Sequence, residues 1–248
     1  IYSKAITNLS AARIDYLVAD RYYLRQMNIS PDGLLVRKNF KFKAVILPKM
    51  VILPLDVAEK VVAFAEAGGY VYLLGDLPEG STDNGLKDPK MKALMNRLQE
   101  LPSVRKAPGG VWQLVGEKAP FMTSQVVFES GRFPMVQQHR RIDNHDFYWL
   151  VNNTGSRQEC TLAIQDVKGL ASIWDCETGS KTNIPSQQIA SGSRVKLAFK
   201  PYEAYWLVFD PQNKPIQSDT QPREFWLTIE ALDAPWNIRI DRSVQPPP

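Results

Sequence analysis

The sequence predicts an α/β domain built on a parallel sheet, followed by an antiparallel β-sandwich. Three observations predict it. Strand, helix and strand signals succeed one another between residues 43 and 74, the pattern of a βαβ unit with a right-handed crossover. From residue 134 onward, short apolar runs alternate with turn residues and no helical stripe interrupts them. Between the two patterns stand Pro102 and then Pro108-Gly109-Gly110, which break both.

Taken in order, Tyr16–Val18 reads as a short strand and Asp20–Met27 as a helix with Leu24 and Met27 on one side. Pro31-Asp32-Gly33 is a turn. The run Lys43-Ala44-Val45-Ile46-Leu47-Pro48 is apolar and closed by proline, as expected of a buried parallel strand. A helix follows. Asp56 is placed to cap it, Val57, Val61, Phe64 and Ala65 form its buried stripe, and Gly68-Gly69 ends it. Tyr70–Leu74 is a second buried strand. Asp88-Pro89 then starts another helix, with Met91, Leu94, Met95 and Leu98 as its stripe. The sandwich strands are read at Pro134–Arg141, Asp146–Asn152, Glu159–Gln165, Leu170–Asp175, Ser193–Lys200 and Ala204–Phe209. Gln212–Gln221 is rich in Pro, Gln, Ser and Asp and reads as a linker. Glu224–Glu230 and Pro235–Ile240 are strand-like and open a further β-domain. The expected division is 1–110, 111–211 and 212–248.

Apolar residues make up 44% of the 248 and charged residues 23%, so a packed core is expected. The net charge is +4, with the charges scattered singly, which argues against a nucleic-acid partner. No run of 18 apolar residues exists, so no membrane-spanning helix is expected. The chain starts at Ile1 without Met and stops at Pro246-Pro247-Pro248, and is expected to be a piece of something longer.

Several residues are candidates for chemistry. Gly75-Asp76-Leu77-Pro78-Glu79-Gly80 follows a buried parallel strand, and crevices beyond the carboxyl ends of such strands are where open α/β sheets bind ligands. Asp76 and Glu79 are therefore candidate ligand contacts, weighed against a plain surface loop, and Trp112 is a third. A flavodoxin-like domain of the class I amidotransferase kind needs a nucleophilic Cys with a His partner, and residues 1–130 contain neither. Gly179-Ser180-Lys181-Thr182 lacks the upstream glycine of a phosphate loop and reads as a hairpin turn. The cluster His139, Arg140, Arg141, Asp143, His145 and Asp146 suits a metal, but it also suits a hairpin turning at Asp143-Asn144. The hairpin is favoured, with Arg141 opposite Asp146 and His139 opposite Tyr148. A hairpin turning near Val167-Lys168 would set Cys160 opposite Cys176, either bonded or as two buried thiols. Trp149, Trp174 and Trp206 lie in apolar strands and are expected in the core, while exposed tryptophans would suit a sugar platform. No cofactor and no metal site is expected.

Three stretches together resemble a known family. His139-Arg140, Asp146–Asn153 and Trp174-Asp175-Cys176-Glu177-Thr178-Gly179 look like the "HR … D-x-Y-F-x-x-N … W-D-P-x-T-G" succession of α-L-rhamnosidases of glycoside hydrolase family 106, with Cys176 in place of the usual proline. Asp15-Tyr16, Asp32–Val36, Val45–Pro48, Ala67–Val71 and Gly75–Pro78 resemble that family's amidotransferase-like α/β domain. Leu232-Asp233-Ala234-Pro235-Trp236 resembles the start of its galactose-binding-like domain. The resemblance implies a non-catalytic accessory portion of a glycosidase, lying after the catalytic barrel, so no catalytic residue carries over. It implies the upstream barrel of the same polypeptide as partner and a periplasmic or secreted location. A carbohydrate-binding module contacting glycan and a scaffold for homo-oligomers remain the alternatives.

Overall fold

The computed structural model describes residues 2–38 and 40–212. The linker beyond Gln212, the strand-like runs Glu224–Glu230 and Pro235–Ile240, and the Leu232–Trp236 motif lie outside the described residues.

The chain opens with α1 (Tyr2–Ala11) and α2 (Arg21–Arg25), then β1 (Asn28–Ile29), β2 (Leu35–Arg37) and β3 (Phe40–Phe42), which form a small antiparallel meander. Next come β4 (Ala44–Leu47), α3 (Leu55–Glu66), β5 (Tyr70–Leu73), α4 (Pro89–Glu100), β6 (Val104–Lys106) and α5 (Val111–Gly116). Strands β4, β5 and β6 make a three-stranded parallel sheet in that order, as the βαβ pattern requires. Val71, Tyr72 and Leu73 of its central strand are almost wholly buried because helices cover both faces. On one face α3 and α4 press Val57, Val61, Phe64, Met91 and Leu98 against the sheet. On the other, α1 and α5 bring Leu9, Val111 and Leu114 onto Tyr72.

The caps follow from local chemistry. The Asp88 carboxylate accepts from the Lys90 amide at 2.9 Å, with Pro89 at the first helical position. Gly68, at φ +93°, ends α3. Asp56 does not cap α3, whose first turn begins after Pro54 without a side-chain cap. It faces α2 instead and holds the guanidinium groups of Arg21 at 2.9 Å and Arg25 at 2.5 Å. Tyr16–Val18 forms no strand. The three residues are exposed and share with β4 the lining of an apolar cavity of about 480 Å³, so they stand off from the strand edge they would have to join.

The remaining strands are β7 (Val126–Ser130), β8 (Met135–Ile142), β9 (His145–Asn152), β10 (Gln158–Gln165), β11 (Leu170–Asp175), β12 (Lys181–Ile184), β13 (Ser186–Ile189), β14 (Gly192–Phe199) and β15 (Ala204–Asp210). They form two antiparallel sheets, ordered β13-β14-β10-β7 and β12-β11-β15-β9-β8. Period-2 alternation sends Leu162, Ile164, Val195 and Leu197 from the first sheet into a shared core. There they meet Tyr148, Leu150, Tyr205 and Leu207 from the second.

Strand β10 does not pair with β11. It pairs with β14 and β7, while β11 pairs with β12 and β15 in the opposite sheet. The expectation that Cys160 faces Cys176 is therefore corrected. Cys160 lies opposite Leu197 and is buried, Cys176 follows β11 and is exposed, and both thiols are free. The cause is the connection after Gln165. Asp166 (φ +59°) and Gly169 (φ +95°) carry the chain across the sandwich rather than back along the same sheet.

Candidate functional site

The crevice predicted at the carboxyl edge of the parallel sheet exists. It measures about 320 Å³ and is lined by Lys4, Asn8, Lys49, Gly75, Asp76 and Gly109 among others. Of the three candidate contacts only Asp76 lines it. Its carboxylate meets the Lys49 ammonium at 2.5 Å, and that hydrogen bond and charge hold its pKa below the ordinary value. A carboxylate so paired is a counter-ion rather than a proton donor. Glu79 points elsewhere. Its amide binds the Val51 carbonyl, and its side chain is exposed. Trp112 sits beside the crevice on α5 with its ring 48% exposed. Hydrolysis of a glycosidic bond uses two carboxyl groups roughly 5–9.5 Å apart across the bond, and the lining of this crevice supplies one.

The polar cluster on β8 and β9 forms the hairpin the sequence suggested. Asp143 and Asn144 both adopt positive φ, +48° and +66°, as a two-residue hairpin turn demands. Arg141 faces Asp146 and His139 faces Tyr148. The Asp146 carboxylate accepts from Arg141 Nε at 2.9 Å and Nη2 at 3.0 Å, and lies 2.8 Å from His139 Nε2. The His139 ring stacks on Tyr148 at 4.4 Å. Burial opposes ionisation of Asp146, but the bonds from His139 and Arg141 outweigh it and keep its pKa below the usual carboxylate range. The cluster is thus closed on itself. Among the described residues no group of three His, Cys, Asp or Glu converges to hold a metal.

The other motif residues are also bound up within the fold. Asn152 is fully buried. Its amide donates to the carbonyls of Ser156 (2.8 Å) and Lys200 (2.7 Å), and its oxygen accepts from the Thr154 amide (3.1 Å) and hydroxyl (2.7 Å). Asp175 accepts from the amides of Glu177 and Thr178 at 2.8 and 3.0 Å, closing the β11–β12 hairpin with Gly179 at φ +68°. Gly179-Ser180 thus complete the hairpin turn, while Lys181-Thr182, which the sequence reading placed in that turn, open β12 and pair with Trp174 and Ile173.

The tryptophans are the clearest departure from the sequence reading. Trp149, Trp174 and Trp206 are not in the core. Their strand neighbours Tyr148, Leu150, Ala171, Tyr205 and Leu207 fill it, and parity turns the three indoles to the outer face of the five-stranded sheet. Trp149 pairs across with Trp206, and Trp206 with Trp174, so the three form a row over adjacent strands.

The chain shares its fold with part of a glycoside hydrolase. It aligns with the structure of a rhamnosidase from Novosphingobium sp. PP1Y at a TM-score of 0.61 and 19% identity, over 82% of this chain and 20% of that one. This chain thus spans about a fifth of that protein's length. An apo exo-carrageenase GH42 from Bacteroides ovatus aligns more loosely, at a TM-score of 0.46 and 12% identity, over 84% of this chain and 27% of that one. No family model matches the sequence, and no curated protein matches it.

Against that fold, sequence reasoning missed α1, α5, the β1–β3 meander and the strands β6, β7, β12 and β13. Ala5, Leu9 and Ala12 are buried at intervals of four and three, a helical spacing that was there to be read. The meander offered no such signal, since its strands are two or three residues long. The aromatic row was hidden because β9 and β15 carry large apolar residues on both faces, and composition alone does not say which face is inside.

Proposed function

We propose that this chain is a non-catalytic accessory portion of an α-L-rhamnosidase-like glycoside hydrolase of family 106, acting on plant or other complex polysaccharide. One observation carries the reading. A single alignment runs through the α/β and sandwich portions together, covering 82% of this chain while occupying 20% of a rhamnosidase. The three motif stretches support it from the sequence side, in the same order. In this reading the three-stranded parallel sheet with its flanking helices is a flavodoxin-like, amidotransferase-like unit, expected over 1–110 and extended to about Met122 by the packing of α5 on Tyr72, and the two antiparallel sheets are a separate sandwich. The catalytic barrel of the same polypeptide is the partner against which both would pack, and the location would be periplasmic or secreted. The chemistry present agrees: the one predicted carboxylate in the crevice is neutralised by Lys49, and Asp146 is consumed by His139 and Arg141.

The test has two parts. The purified 248-residue chain, given aryl α-L-rhamnosides, should release no phenol above a buffer blank; turnover that follows enzyme concentration would refute the accessory role. The gene should also encode, before Ile1, an α/β barrel with two glutamates near its strand ends. A reading frame without one would refute the assignment to a hydrolase.

A further inference from the structure

The outer face of the five-stranded sheet carries a row of half-buried aromatic side chains. Cross-strand register places Gln138, Trp149, Trp206, Trp174 and Lys181 in one row, a residue from each strand. At about 4.8 Å between strands the row is about 19 Å long. Phe147, on the same face of β9, packs against it. Its ring meets Trp174 at 5.3 Å and Trp206 at 6.2 Å, edge to face in both cases, and Trp149 lies 5.1 Å from Trp206. The rings brace one another, so each is held in place while part of it meets solvent. The Trp174 indole N–H donates to Ser172 Oγ at 3.0 Å, so that ring reaches the surface with its donor already satisfied.

The charges on this face are unevenly placed. Lys181 stands at one end with its ammonium 3.6 Å from the centre of the Trp174 ring. Arg140 stands at the opposite edge, on β8 across from Phe147, with its guanidinium 5.7 Å from the centre of the Phe40 ring. Asp210, at the end of β15, lies 3.4 Å from His145, which neutralises it when protonated. Cations therefore flank the aromatic strip, and the carboxylate among these groups faces a histidine.

We propose that this strip is a carbohydrate-binding platform that takes an acidic oligosaccharide, a run of sugar rings bearing uronate carboxylates. The C–H faces of the sugar rings would lie on Trp149 and Trp206, beside Trp174, whose face the Lys181 ammonium covers. Carboxylates at the two ends would pair with Lys181 and Arg140. A docking protein is the other kind of occupant. The strip is one row of rings closed at both ends by polar side chains, Gln138 and Lys181, which suits a linear chain of sugars better than a broad apolar partner. The proposal stands whether or not the chain belongs to a hydrolase.

Calorimetry of the 248-residue chain with an oligogalacturonide and with a neutral cello-oligosaccharide of equal length tests it. The oligogalacturonide should bind and weaken as salt rises, and the neutral chain should bind more weakly. Trp149→Ala should weaken binding roughly tenfold or more. Lys181→Gln, on the edge strand β12, should weaken it roughly two- to fivefold at low salt. No heat with the oligogalacturonide would overturn the proposal, as would equal binding of both sugars or binding untouched by either substitution. Sedimentation showing self-association that Trp149→Ala abolishes, without sugar binding, would assign the face to protein contact instead. Lys181→Gln and Arg140→Gln keep the test decisive if Trp149→Ala fails to fold.

Discussion

Asn152 offers a test of how the sandwich is held together. Its four hydrogen bonds tie the end of β9 to the turn at Thr154–Ser156 and to the start of the turn before β15. Replacing it with alanine deletes all four. A net worth of about 1 kcal/mol each would give about 4 kcal/mol. The Ser156 carbonyl keeps a contact with the Thr154 hydroxyl at 3.3 Å, which lowers the expected loss. About 3 kcal/mol is the expected cost, and with a urea dependence of about 1.5 kcal/mol per molar the midpoint should fall by about 2 M. Asn152→Asp is the sharper perturbation. It keeps both acceptor bonds but sets a carboxylate oxygen against the carbonyls of Ser156 and Lys200, with nothing to donate. At pH 7 it should cost more than alanine. It should recover as pH falls and the carboxyl gains a proton to donate, because burial beside two carbonyls raises its folded pKa above the unfolded one. Tryptophan fluorescence reads both, since Trp149, Trp174 and Trp206 report on this sandwich. A midpoint shift below about 0.5 M for alanine, or an aspartate variant no worse than alanine at pH 7, would refute the reasoning.

Three further outcomes are expected. Asp146→Asn should cost about 2 kcal/mol at neutral pH, because it removes the charge that His139 and Arg141 bind. The native Asp146 pKa is depressed, so its stabilisation is present above the ordinary carboxylate value and lost as pH falls through the depressed one; the gap between variant and parent should close in acid. Urea midpoints at pH 7 and pH 3 check this, and a gap as wide at pH 3 as at pH 7 would count against it. Gly169→Ala should cost well over 3 kcal/mol, since a Cβ there would fall 1.7 Å from the Asp210 carbonyl oxygen at a φ of +95°; a normally folded variant would show the crossover to be misplaced. An alkylating reagent followed by mass spectrometry should add one label to the native chain, at Cys176, and two after unfolding. Burial pushes the Cys160 thiol up to about 12 and shields it. No labels without reductant would mean a disulfide after all.

The parts of the fold that were legible in the sequence are those where one physical signal dominates. The α4 helix announced itself through Asp88-Pro89 and its methionine–leucine stripe, and β4 and β5 through unbroken apolar runs between turn residues. The Asp143-Asn144 hairpin was legible because both residue types tolerate positive φ. What was not legible depends on pairing at a distance. Whether β10 turns back onto β11 or crosses to the other sheet depends on which partner buries Leu162 and Ile164 better, and a positive-φ turn such as Asp166–Gly169 reads in sequence as a hairpin as readily as a crossover. The tryptophan row failed for the same reason. Period 2 tells that Tyr148 and Trp149 face opposite ways, but the inside is assigned only once the second sheet is in place. Asp76 lines the crevice because the loop after a parallel strand lies at its carboxyl edge. The neutralising Lys49 comes from the neighbouring strand's loop and could not be read from Asp76's own surroundings.

The motif residues themselves bear on what a family-like sequence signature transmits. His139 and Asp146 close an inward ion-pair cluster, Asn152 ties a buried knot of amide bonds, and Asp175 and Gly179 shape a hairpin turn. At Asp146 and Asn152 replacement leaves buried groups unpaired, and at Gly179 it strains the backbone. A succession of such positions specifies a sandwich, not a reaction. Binding, by contrast, would fall to side chains that the fold does not need, and these are the ones turned outward: Trp149, Trp174, Trp206 and the flanking Lys181. Asp146 and Asn152 are buried, whereas the three indoles are partly exposed. Changing them should leave stability far less altered than changing Asn152 or Asp146, and that separation is what allows the outer face to be assayed for a ligand without first unfolding the protein.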